Sequence, residues 1–385
     1  MNSFEIIKGQ GGVPKALPNK DHVSGLVMMI PGFNAADDLS GEAHVYENAI
    51  DAVAGLQHDV SKYHVREYFR MQPAGRLWLT TSKASNEAEN TAKEMVAAVR
   101  RLMDNSNGEC RQIAVWNGGR IALPGHLSAL QELADEYEGK GTPVSFLYTA
   151  MLDDGFSSEE FRSPGRCNVS MVIGEDMSEG SEAEAIRKKD DANIGSKCVS
   201  AIGACLGCVS FAAVNESIAW VSKFNLGYSK VGRVGGVAIS QAEATTLDDA
   251  GFLFLVKYDG VAGAFWNDSH TMDEATSDYN SIESVRTIDK ACRGVRTYLL
   301  PYLASPVYLN DDGTMRADSL ANLKNVAGQA LEAMERAGEL SGYIVEIDAN
   351  QNILANSTVE FVIKNVAVGV MRNIKIKIGY TTNIE

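Results

Sequence analysis

Apolar and polar positions along the chain follow two successive patterns. From Gly25 a continuous apolar run, Leu26–Ile30, closes at Pro31-Gly32 and reads as a buried strand, with a helical stretch following through about Val45 to Val60. Further strands are predicted at Arg76–Thr81, Gln112–Trp116, Val144–Tyr148 and Val169–Ile173, with helices between them at about Glu87–Met103 and Leu127–Tyr137. Apolar strands alternating with helices of that length predict crossover connections, and hence a mostly parallel sheet flanked by helices on both faces.

A loop rich in Glu, Asp, Ser and Lys (174–193) then precedes a strongly apolar segment, Ile194–Val214, in which Gly203 and Gly207 are spaced as GxxxG; a helix is predicted here, continuing through Trp220. After Gly251 the pattern changes. A strand pair, Phe252–Tyr258 and Gly263–Asn267, leads into long helices over about Tyr279–Tyr302 and Ser319–Arg336, and the chain closes with alternating strands at Tyr343–Ile347, Thr358–Lys364 and Arg372–Gly379. This end reads as α+β with antiparallel strands, and no repeat of solenoid period is present. The expected division is an arm over 1–20, an α/β domain over 21–250, an α+β inner domain over 251–368 and a C-terminal strand or arm over 369–385.

Composition sharpens this picture. A chain of 385 residues, 45% hydrophobic, exceeds what one core normally spans, which supports two domains. The formal charge of −15 disfavours a duplex nucleic-acid partner, whose phosphates need a concentrated basic surface. The first residues lack a basic region followed by an apolar one, and six scattered cysteines fit reduced thiols, so folding in the cytoplasm is expected. Lys197 inside the apolar segment, and the lack of an asymmetric basic flank, favour a buried helix over a membrane span.

Catalytic signatures do not emerge. Gly25–Phe33 resembles the strand before an oxyanion loop, but no G-x-S-x-G elbow accompanies it, and neither phosphate-binding glycine motif is present. Cys205 and Cys208 form a C-x-x-C pair inside the apolar helix with no further ligands at zinc spacing, and the histidines stand apart. No catalytic, cofactor or metal site is therefore expected; the alternative is a soluble α/β enzyme whose site is scattered along the chain.

Two features rise above background. Ile374-Lys375-Ile376-Lys377-Ile378 alternates at strict period two, as in a strand with one buried and one wet face; it suits either an edge strand of its own domain or pairing with another sheet's edge. On the helix near Tyr279, Val285, Ile288, Cys292, Val295 and Leu299 form an apolar stripe, and Arg286, Lys290 and Arg293 lie roughly opposite, as a solvated face or a surface docking on an acidic partner.

The sequence resembles the contractile tail sheath proteins of Mu-like phages and related injection systems. The similarity lies in Tyr63–Leu79 (YHVREYFRMQPAGRLWL), Ile218–Leu226 (IAWVSKFNL), Thr276–Arg293 (TSDYNSIESVRTIDKACR), Leu309–Arg316 (LNDDGTMR) and the helix ending in AGELSGY, followed by the closing strands. The resemblance implies a structural protomer that polymerises as a helical tube, in stacked hexameric rings, around an inner tail tube and contracts to drive it through an envelope. It implies tail tube, baseplate and tail-terminator proteins as partners, no membrane insertion, and assembly in the bacterial cytoplasm into a phage tail or injection particle. It also makes Phe4, Glu5, Ile6 and Ile7, together with Ile374–Ile378, candidates for strand exchange between subunits, and Arg286, Lys290 and Arg293 candidates for a tube-facing surface.

Overall fold

A computed structural model describes residues 20–31, 39, 42–85, 88–153, 155–191 and 195–380. The elements, in chain order, are β1 (Val23–Ile30), β2 (Ala43–Tyr46), α1 (Ala49–Ala54), α2 (Asp59–Met71), β3 (Arg76–Lys83), α3 (Ala88–Asn105), β4 (Gln112–Ile121), α4 (Pro124–Gly139), β5 (Ser145–Met151) and β6 (Val169–Val172). They continue with β7 (Gly174–Asp176), α5 (Glu182–Arg187), α6 (Ile202–Phe211), β8 (Val231–Arg233), α7 (Gln241–Asp249), β9 (Phe252–Leu253), β10 (Leu255–Val256) and β11 (Phe265–Trp266). The last are α8 (Ile282–Leu299), α9 (Ala317–Arg336), β12 (Leu340–Ile347), α10 (Ile353–Asn356) and β13 (Phe361–Ala367).

The five apolar runs of the first half all become strands of one sheet, ordered β2-β3-β1-β4-β5-β6-β9. Every neighbouring pair is parallel except β2 with β3. Strand β1 is buried along its whole length, as a central parallel strand covered on both faces must be. The helix expected over Val45–Val60 is instead β2 and α1, separated from α2: Asn48 caps α1 by accepting from the Asp51 amide, which starts a new helix there.

Helix α6 is the apolar segment. It is shorter than expected, ending at Phe211, and Trp220 lies beyond it, half exposed. Its GxxxG face packs on α2, where a β-carbon at Gly203 would stand 2.2 Å from the His64 carbonyl oxygen and one at Gly207 would stand 2.7 Å from that of Tyr68. The two backbones touch where side chains would hold them apart. Among the described residues, no helix is long and apolar enough to cross a membrane.

One continuous core runs from Val23 to Ile282, and a second, small cluster joins Ala291, Ala327, Leu331, Met334, Leu340 and Val345. The first core continues beyond the boundary expected at 250. Strand β9 adds to the edge of the parallel sheet, and Trp266 and Met272 are buried in the first core, because the strand pair β10–β11 has too little apolar surface to form a core of its own. The two lobes meet along α8, whose first residue belongs to the first core and whose second half, from Ala291, belongs to the second.

Candidate assembly surfaces

The second lobe is a hairpin on two helices. Strands β12 and β13 pair antiparallel from Leu340↔Ala367 to Ile347↔Phe361, and among the described residues neither outer edge is paired. Tyr343, Val345, Phe361 and Ile363 face the small core, while Ile344, Val362 and Val366 on the other face are exposed. A two-stranded sheet with open edges and an uncovered apolar face is marginal alone and suited to receive further strands.

Residues 368–380 follow directly. The strand expected over Arg372–Gly379 is not formed within the protomer: this segment pairs with no described strand of its own chain. Ile374, Ile376 and Ile378 are 71%, 73% and 91% exposed, so the alternating pattern has no buried face here. Phe4, Glu5, Ile6 and Ile7 lie outside the described residues.

The tail leaves the body through a socket that sequence patterning did not reveal. The Arg372 Nε donates to both carboxylate oxygens of Asp268 at 2.9 Å, and its Nη2 donates to Glu283 Oε1 at 2.6 Å and to Ser269 Oγ at 3.3 Å. Glu283 and Ser269 are buried, and the Ser269 hydroxyl donates to the other Glu283 oxygen at 2.6 Å, so each carboxylate oxygen has its own donor. Beside it, a groove of about 780 Å³ runs between Val368–Arg372 and Asn215–Val221.

The basic row on α8 lies largely inside the protomer and is engaged there. Arg286 is 4% exposed and donates to the carbonyls of Ala212 and Ala213, where α6 ends and its free carbonyls carry partial negative charge. Lys290 bridges Asp21 at 2.7 Å and Glu339 at 2.5 Å, and Arg293 lies 3.4 Å from Asp21. Burial alone would raise the Asp21 pKa, but the Lys290 hydrogen bond and the charges of Lys290, Arg293 and Arg286 hold it below the usual value. The helical wheel placed this row opposite the apolar stripe and so in solvent. Here both sides of α8 are covered, one by each lobe, and Cys292 of the predicted stripe is exposed instead.

In open parallel sheets, ligands collect beyond the carboxyl ends of the strands where the strand order reverses, here between β1 and β4. Gly118 and Gly119, at φ +59° and +73°, turn the chain there, and a β-carbon on Gly118 would stand 2.1 Å from the Met29 carbonyl oxygen. Gly195 closes over them, with its α-carbon 3.1 Å from where a β-carbon of Gly119 would lie. Backbone occupies this part of the crevice.

This arrangement, a parallel-sheet first lobe carrying an α+β hairpin lobe, recurs in solved structures. The fold matches a chain of the anti-feeding prophage baseplate (TM-score 0.64, 14% identity, covering 98% of this chain and 100% of that one). It likewise matches a chain of the contracted sheath complex of the extracellular contractile injection system PVC (0.63, 10%, 99% of each). A third match is the sheath tail protein from Desulfitobacterium hafniense (0.55, 11%, 94% and 100%). The chain belongs to the DUF2586 family: residues 45–270 match its N-terminal domain and residues 278–385 its C-terminal domain. No curated protein sequence matches it.

Proposed function

We propose that this protein is the sheath protomer of a contractile tail or injection particle. It polymerises as a helical tube, in stacked hexameric rings, around an inner tail tube, and shortens to drive that tube through an envelope. The observation that carries this reading is the agreement of fold over the whole length of sheath chains, combined with an Ile/Lys tail that leaves its own protomer unpaired beside an open two-stranded sheet. A tail that buries nothing at home gains its apolar contacts and its backbone hydrogen bonds by adding to a neighbour's sheet edge.

Residues Ile374–Ile378 are the donor strand on this reading, the β12–β13 sheet of a neighbour is the acceptor, and Phe4–Ile7 is the corresponding N-terminal strand. The six-fold symmetrised anti-feeding prophage baseplate supports hexameric rings. The partners are further copies of the chain, the tail tube protein, and baseplate and terminator proteins, with assembly in the bacterial cytoplasm. With Arg286, Lys290 and Arg293 occupied within the protomer, a tube contact through them would first require the seam to open. Electron microscopy of the purified chain, alone and with tube protein, tests the reading: long tubes are expected, and a small closed oligomer under both conditions sinks it.

A further inference from the structure

Asp21 and Arg372, from opposite halves of the described chain, are both bound on one face of α8. Glu283, Arg286 and Lys290 follow at steps of three and four residues, so they share a face over two turns, about 10 Å at roughly 1.5 Å per residue. Arg293, one step further, continues the row. Glu283 receives Arg372 and so holds the start of the C-terminal segment. Lys290 and Arg293 receive Asp21 and so hold the end of the N-terminal segment, while Lys20 beside it is fixed to Glu109 at 2.6 Å. Arg286, between them, ties the same face to the end of α6 in the first lobe.

We propose that α8 is a strut joining the anchoring residues Asp21 and Arg372, so that load applied at either anchor is shared with the other through this helix and the two lobes it belongs to. The segment after Arg372 is then the one left available to a neighbour. The anchors are of the kind that resists such pull: the arginine is held by two carboxylates, one of them buried, and the aspartate by two cations, so slippage at either would expose uncompensated charge in a partly dry site. The mechanical consequence rests on the sheath reading, whereas the anchoring itself does not.

Limited trypsin digestion of the full-length protomer, followed by mass spectrometry, tests the anchors. Trypsin must take the Arg372 side chain into its own pocket, so cleavage after Arg372 should be at least tenfold slower than after Lys375 and Lys377. Glu283→Gln with Asp268→Asn should bring the three rates within about threefold. Lys290→Met should speed cleavage after Lys20 about tenfold, and Lys290→Arg should leave it slow, which separates loss of charge from loss of fold. Equal cleavage at Arg372 and Lys375 in the wild type would overturn the anchoring. For transmission, the Glu283→Gln/Asp268→Asn protein, with circular dichroism melting unchanged within a few degrees, should fail to give ordered tubes; tubes of wild-type length and order would refute the strut. Absence of tubes from the wild type under all conditions would count against the sheath reading, and the trypsin result would still decide the anchors.

Discussion

Residues 23–282 share one continuous core in which Trp116, Trp266, Tyr68, Tyr148 and Phe146 are less than 2% exposed, whereas the second lobe gathers six buried apolar residues around a hairpin. The first lobe satisfies itself: its parallel strands are covered on both faces, and α2 and α6 meet at backbone contact. The second lobe leaves Ile344, Val362, Val366 and Leu354 in water, together with Leu303 and Tyr308 from the loop between α8 and α9. The first lobe exposes single apolar residues such as Ile50 and Trp220 as well, but over a much larger body; the denser apolar exposure of the second lobe suits contact with other chains. The contrast separates a self-contained body from an appendage that leaves apolar surface uncovered.

The sharpest way to break this comparison is to strike the first core at its tightest point. Gly203→Val places a β-carbon against the His64 carbonyl, with no flexible side chain to yield, and should cost about 3 kcal/mol or more, seen as a protein that melts far below wild type or does not fold. A variant that melts normally would show that the α2–α6 contact is adjustable. Leu331→Ala in α9 should cost less, about 2 kcal/mol, since a thin core relaxes readily around the gap. Its effect should also be local: amide exchange in α9, β12 and β13 should accelerate while β1, β4 and β5 stay protected. Uniform acceleration would mean that the two lobes unfold as one.

Acid should act through the first lobe. His64 is fully buried between α2 and α6, and burial pushes its pKa down from the usual 6.5 to about 3. The unfolded chain therefore takes up a proton between pH 6.5 and 3 that the folded chain refuses. The stabilisation present above pH 6.5 is lost as pH falls through that window, by up to about 1.4 kcal/mol per pH unit for this one group. His64→Leu should flatten that part of the profile, and an unchanged slope in chemical denaturation across pH 4–6.5 would remove His64 as its source. The smallest effect on the protomer is expected at the tail. Ile376→Asp should change protomer stability by less than about 0.5 kcal/mol, because Ile376 buries nothing there, yet it should abolish tube formation if the segment adds to a neighbour's sheet. Normal tubes from this variant would take Ile374–Ile378 out of the interface.

Much of the first lobe was legible in the sequence because a parallel strand covered on both faces must be apolar throughout, and runs such as Leu26–Ile30 and Gln112–Trp116 state this locally. The Gly203–Gly207 spacing is the local trace of the close contact that α6 makes with α2. The α8 anchors were not legible. A helical wheel assumes one core and one solvent side, and it sorts Arg286, Lys290 and Arg293 to the solvent; on a helix shared by two lobes both sides are interior, and charges there require partners from elsewhere. Those partners, Asp21, Ala212 and Glu339, and likewise the Arg372 that meets Glu283, are separated from the helix by tens of residues or more in sequence, so no local pattern records them.

The sequence by itself determined the five apolar strands of the first half, that they would close as a mostly parallel sheet, and that the last residues would alternate in strand period, since each follows from periodicity within a few residues. Only the tertiary structure decided that residues 252–272 belong to the first core, that Arg372 roots the tail, and that the tail's alternating face stays unburied in its own protomer. These outcomes depend on which distant surfaces meet and how much apolar area each lobe has left to cover, quantities that exist only once the chain has folded.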